Sequence, residues 1–196
     1  VALEHRKQLE RANENITHAY FPESGIVSVV AKSGSDQIEA GVIGREGVTA
    51  FAVILGNHRS PNDVYVQIEG RGHSIDAEHL RSAMSASPTL RLLLTRYAQT
   101  FMTQVAQTAL VNGRAKLEER LARWLLMAHD RLDDVDVRLT HEFIALMLGV
   151  RRPGVTEALN ELEGKGFIRS NRGAIRILDR EGLLDIAGAA YGVPEA

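Results

Sequence analysis

The chain has 196 residues, 44% of them hydrophobic and 24% charged, and its 23 basic and 25 acidic side chains leave a formal net charge of −2. Those proportions exclude a fibrous, collagen-like or wholly disordered protein, and the length suits one domain or two modest ones. There is no cysteine, which rules out a disulfide framework, thiolate catalysis and cysteine-held zinc or iron–sulfur centres, and fits a reducing cytoplasm.

The first residue is Val1, and the opening VALEHRKQLE lacks the apolar core of a signal peptide. It reads as the interior of a longer chain with N-terminal sequence missing. From Ile16 to Ile75 short Val- and Ile-rich runs alternate with Gly, Asn, Asp, Ser and Pro. This pattern predicts strands at Gly25–Ala31, Gln37–Ile43 and Val64–Ile68, with turns at Lys32–Asp36 and Asn57–Asp63. Many short strands at this spacing suggest a sandwich or roll.

From Ala77 the period becomes helical. A segment beginning near Pro88 runs without Gly or Pro to Gly113, long enough for a helix of roughly 36 Å. Leu90, Leu94, Tyr97, Phe101, Gln104 and Thr108 recur at alternating spacings of four and three, flanked by Leu93 and Val105. Such a heptad-like seam predicts pairing with a second copy, with polar Gln104 and Thr108 fixing register; a single amphipathic helix packed on its own domain is the alternative. Asn112 and Gly113 mark a boundary, which divides the chain into a roll (1–86), a dimerisation helix (87–112) and a C-terminal domain (113–196).

A second helix follows from about Arg114 to Arg131, with Leu117, Leu121, Trp124, Leu125 and Ala128 on one face, and then a polar loop at Asp130–Asp136. Residues 139–162 read LTHEFIALMLGVRRPGVTEALNEL. Thr140 is placed to cap a short helix that buries Phe143, Ile144 and Met147, with Glu142 in the first turn at the positive end of the dipole. Gly149 supplies a tight corner, and Pro153 belongs in the first turn of a further helix beginning near Arg152. On that helix Val155, Ala158, Leu159 and Leu162 face a core, leaving Pro153, Thr156, Glu157 and Asn160 outward. Arg151 and Arg152 stand at its tip, where positive charge opposes the dipole and invites an anionic partner.

Beyond Gly164 and Gly166, Phe167–Ser170 and Ala174–Leu178 flank a turn at Asn171–Gly173, which predicts a β-hairpin wing. Between Arg151 and Arg176 six basic residues (Arg151, Arg152, Lys165, Arg169, Arg172, Arg176) outnumber three acidic ones (Glu157, Glu161, Glu163). A locally basic surface on a slightly acidic protein is the footprint of a DNA-binding face. Catalysis finds no support: His141-Glu142 begins the zinc-protease pattern HExxH, but Ala145 holds the place of the second histidine. GxSxG, GxxxxGK[ST] and GxGxxG are absent as well.

The order of β-rich domain, long helix, helix-turn-helix and wing resembles the CRP/FNR family of bacterial transcription regulators. The resemblance is strongest over LTHEFIALMLGVRRPGVTEALNELEGKGFI, with support from YFPESGIVSVVA, IGREG and EERLARWLLMAHDRL. It implies an α+β protein with an N-terminal cyclic-nucleotide-binding-like β-roll (jelly-roll), a dimerisation helix and a C-terminal winged helix-turn-helix. By position, Arg152 matches the family's guanine-reading arginine, Arg151 precedes it, and Thr140, with His141 beside it, matches a phosphate-approaching position. Pro153 and Glu157 depart from the base-contacting Glu and Arg of members such as the cyclic AMP receptor, which implies a different target sequence. Glu157 fits either a cytosine amino group or a surface ion pair. Arg169 and Arg172 on the wing are the expected phosphate contacts.

For an effector, Arg59 and Ser60 match the family's phosphate-binding Arg-Ser pair, but the ribose-binding carboxylate position falls near Ala50 and Phe51. Cyclic AMP is therefore a poor fit, and the effector stays unidentified. His58, His73 and His79 are scattered as surface histidines are, and neither a metal nor another cofactor is expected. The partners implied are double-stranded DNA, a second copy of the chain and RNA polymerase, with no membrane. The rival expectation is a small-molecule or protein-binding module whose winged helix does not touch DNA.

Overall fold

A computed structural model describes residues 1–133, 136–171 and 173–192. The chain divides into two compact units, Val1–Asp36 with Ala40–Val105, and Gln37–Glu39 with Ala106–Ala196. The partition expected from sequence treated the long helix as a separate piece, whereas here its first part groups with the strands.

The first unit holds two sheets. One has the order β1-β7-β3, from β1 (Ala2–Leu3), β7 (Gly70–Asp76) and β3 (His18–Pro22). The other has the order β2-β6-β4-β5, from β2 (Gln8–Glu10), β6 (Asp63–Ile68), β4 (Ile26–Ser33) and β5 (Asp36–Ile43). In β4 the five residues from Ile26 to Val30 are all buried, a strand covered on both faces. Its antiparallel register on β6 sets Val27 opposite Val66 and Val29 opposite Val64, and these join Leu3, Ile43 and Phe101 in one core cluster. The strands β1, β2, β3 and β7 were not resolved individually from sequence because they are short or carry no apolar alternation. A four-residue helix, α1 (Phe51–Ile54), starts at Ala50, whose φ of 63° is left-handed.

Helix α2 (Ala77–Ala86) is capped by the Asp76 side chain, which accepts from the Glu78 and His79 amides. Helix α3 (Pro88–Arg114) follows and runs through Gly113. The stripe expected to pair with a second copy is engaged within the chain itself. Leu94 lies in the core with Leu80 and Met84, and Leu90 and Tyr97 pack against it. Phe101 belongs to the sheet core and Val105 packs against that. Buried Gln104 accepts from the Val42 amide at 2.8 Å through Oε1, and Thr108 is half-buried. A heptad pattern reports which face is covered but not what covers it. The exposed arc of α3 within this unit carries Leu92, Leu93 and Met102, each more than half exposed. Phe51 stacks on Phe101, with ring centroids 4.2 Å apart, and on Tyr97, at 5.6 Å. Gly47 allows the close approach, because a Cβ there would collide with the Tyr97 ring.

The second unit is built on α4 (Leu117–Arg131), in which every residue from Leu121 to Ala128 is buried. Against it lie α6 (Arg152–Gly164) and α7 (Arg180–Ala187), and α5 (His141–Leu148) packs on α6. Three antiparallel strands, β8 (Asp136–Val137), β9 (Ile168–Asn171) and β10 (Ala174–Ile177), pair in the order β8-β10-β9. The wing is thus a three-stranded sheet where sequence predicted a hairpin, since two residues of β8 are too few to leave a pattern. Among the described residues, no helix is long and apolar enough to cross a membrane.

Candidate nucleic-acid interface

Local sequence builds the corner between α5 and α6. Thr140 caps α5, its Oγ1 accepting from the Phe143 amide at 3.3 Å. The helix ends at Gly149, whose φ of 61° is left-handed; a Cβ there would also lie 2.9 Å from Ile38 Cδ1. Glycine meets both demands at little cost. Pro153 stands in the first turn of α6, where its missing N–H breaks no helical bond. Val155, Ala158, Leu159 and Leu162 are buried, so α6 has one fixed rotation about its axis. Arg151, Arg152, Pro153, Glu157 and Asn160 are exposed and Thr156 is half-buried.

Two contacts tie the N-terminal turns of the two helices together, and a third lies within α6. Arg152 Nη1 lies 2.8 Å from Glu142 Oε1. The His141 ring shares a hydrogen bond of 3.2 Å with Thr156 Oγ1. Thr156 Oγ1 in turn donates to the Arg152 carbonyl at 3.3 Å. His141, Arg152 and Thr156, selected separately from sequence, therefore form one patch, joined by Glu142.

Arg120, which the sequence does not single out, supports the corner. The Arg120 guanidinium donates to the Leu148 carbonyl at the end of α5 and, through Nε, to Asn112 Oδ1 at 3.0 Å. Burial lowers the Arg120 pKa. Trp124 Nε1 donates to the buried Glu39 carboxylate at 2.8 Å. Polar residues on a core helix were the available signal, but the sequence does not name their partners.

Of the six basic residues counted above, Arg152 is bound to Glu142, Lys165 to Glu161 at 2.6 Å, and Arg176 to Asp136 through two bonds of 2.7 and 2.8 Å. The Arg176 bond holds the Asp136 carboxyl below the usual carboxylate range. Arg151 and Arg169 are exposed, as is Arg138, which no local sequence signal marks. Arg169 faces Arg176 across the β9–β10 pair. Arg172 lies outside the described residues.

The two residues expected to bind an effector diverge. Arg59 is exposed, whereas Ser60 is buried and donates through Oγ to the Asn62 carbonyl at 2.7 Å. A carboxylate does reach Ala50, but it comes from β2: buried Glu10 accepts from the Ala50 amide at 2.7 Å. Burial raises the Glu10 pKa against the lowering effect of bonds from Ser60, Ala50 and Thr49. The Ser60 hydroxyl and the Ala50 amide are thus satisfied within the chain.

Comparison with known proteins agrees with this geometry. Residues 119–186 match the family model of the Crp-like helix-turn-helix domain. Over 78 residues the chain is 36% identical to the transcriptional regulator SdrP of Thermus thermophilus, an alignment spanning 37% of this chain and 39% of that protein. A CRP-family transcriptional regulator of the same species superposes with a TM-score of 0.81 at 20% identity, covering 98% of both chains. FixK2 of Bradyrhizobium japonicum gives 0.82 at 18% identity, covering 96% of both. The chain therefore carries a Crp-like helix-turn-helix domain at residues 119–186 and has, along nearly its whole length, the fold of CRP/FNR-family regulators.

Proposed function

We propose that the chain is a sequence-specific transcription regulator of the CRP/FNR type, acting in the cytoplasm as a homodimer on near-palindromic double-stranded DNA. One observation carries the reading: α6 buries its apolar side and exposes Arg151, Arg152 and Asn160 from a corner that matches the Crp-like domain. A helix so held presents its N-terminal residues to a major groove, where arginine bonds guanine O6 and N7 with two parallel donors. The Thr140 turn and exposed Arg169 supply phosphate contacts, which position the protein without reading sequence. Thr156, Glu157 and Asn160 set further base preferences, and Pro153 directs the first turn.

Pairing of two chains uses the exposed arc of α3 around Leu92, since the stripe from Leu90 to Val105 is covered by its own roll. Two copies then set their recognition helices about 34 Å apart, one DNA turn. The roll is the regulatory half, and RNA polymerase is the further partner such a regulator needs.

Selection of bound duplexes from a random pool tests the reading. The purified chain should enrich a twofold-related motif, and Arg152→Ala should relax the preference at one base pair of each half-site, at a cost of about 1–3 kcal/mol. A pool that emerges unenriched would favour a module that binds proteins or small molecules instead.

A further inference from the structure

The Glu142 carboxylate has a place in this interface that its position in the first turn of α5 does not explain. Its Oε1 lies 2.8 Å from Arg152 Nη1, and both side chains stand in solvent, 59% and 64% exposed. An ion pair this open contributes little to stability. Arg152 is also held at its backbone, where Thr156 Oγ1 bonds its carbonyl, while Thr156 shares a bond with His141 beside Glu142. Among the described residues, the contact at Nη1 leaves the Nε–Nη2 edge of the guanidinium with its two parallel donors.

We propose that Glu142 is a specificity-determining residue, which withholds Arg152 from DNA phosphates while leaving it able to bond guanine. The proposal rests on the DNA-binding reading above. An untethered arginine on a helix tip is long and mobile, and it neutralises the phosphates of any sequence equally well. Each such contact strengthens non-specific binding and steepens its dependence on salt, with nothing gained in discrimination. A carboxylate at Nη1 limits that reach, and its own charge repels a phosphate of any sequence. Guanine, which is neutral and presents O6 and N7 side by side, is repelled less and matches the remaining edge. Discrimination thus comes partly from an element that penalises the wrong partner.

The test compares the wild-type chain, Glu142→Gln, Glu142→Asp and the double variant Glu142→Gln/Arg152→Ala. Each is titrated with the selected duplex and with a scrambled duplex of equal length, over about 50–200 mM salt. Glu142→Gln should bind the scrambled duplex roughly three- to tenfold more tightly and steepen its salt slope by about one per bound tip. The ratio of specific to non-specific affinity should fall accordingly. Glu142→Asp should restore part of that ratio, and the double variant should lose the added slope, because the added contact belongs to Arg152. Melting temperature should stay unchanged across the single variants, which separates this role from a structural one. Wild-type protein that favours its selected duplex while Glu142→Gln keeps the same ratio and slope would overturn the proposal alone. Wild-type protein with no preference would overturn the DNA-binding reading beneath it.

Discussion

Replacing Glu10 should separate its two roles, as acceptor and as buried charge. Its carboxylate accepts from the Ala50 amide at 2.7 Å, in the left-handed residue that starts α1 and sets Phe51 against Tyr97 and Phe101. Glu10→Ala leaves a buried N–H without that acceptor, at about 1–3 kcal/mol, and removes one packed methylene at about 0.8 kcal/mol. A total loss near 2–4 kcal/mol is expected, or roughly 5–15 °C in Tm for a chain of this size. Glu10→Gln keeps an acceptor oxygen, so its loss near neutral pH should stay within about 1 kcal/mol.

The pH dependence gives the sharper test. Burial, the largest influence, raises the Glu10 pKa, so between the ordinary carboxylate value and the raised one the folded chain holds this proton more firmly than the unfolded chain. The contribution of Glu10 is therefore fully present below the ordinary value and is lost as pH rises through the raised one. Urea denaturation of both proteins across mildly acidic to neutral pH should show the wild type losing stability relative to Glu10→Gln as pH increases. Parallel curves, or a Gln variant as damaged as the Ala variant, would refute the reasoning.

Four other substitutions probe the remaining parts of the account. Leu92→Glu, on the exposed arc of α3, should raise the dimer dissociation constant by tenfold or more, about 1.4 kcal/mol per factor of ten, as read by analytical ultracentrifugation. Leu94→Ala should instead cost about 2–5 kcal/mol of fold stability in urea titration, because Leu94 lies in the roll's own core. Gly149→Ala should cost about 1–2 kcal/mol for the left-handed backbone alone, a loss that thermal melting of the chain would register. Arg169→Ala should weaken binding to all duplexes alike and flatten the salt slope by about one per bound wing; an unchanged slope in salt-dependent titrations would remove Arg169 from the phosphate contacts.

The helix-turn-helix was legible because three local signals coincide within it: the apolar spacing of Val155, Ala158, Leu159 and Leu162, a glycine at the corner, and a proline in the next first turn. Each acts over a few residues, so no distant partner was needed to read it. Helix α3 shows the limit of that kind of signal. The stripe through Leu94 and Phe101 was found, yet its covering surface is the roll, because an apolar face is equally satisfied by its own chain or by another. Glu10 was invisible, since nothing in its short strand distinguishes a buried carboxylate from a solvated one; only the distant Ala50 amide explains it. The Glu142–Arg152 pair was half legible: both residues were placed on their helices, but the contact depends on how α5 and α6 turn about Gly149.

The central claim is that two copies of the chain place two α6 tips in successive major grooves on one face of a duplex. Binding to the enriched site, measured beside a version with about five base pairs inserted between its half-sites, tests it most directly, since half a turn moves one half-site to the opposite face. The account predicts two chains per duplex on the original site and loss of specific binding on the lengthened one. Equal affinity for both sites, or one chain per duplex with full specificity, would contradict it.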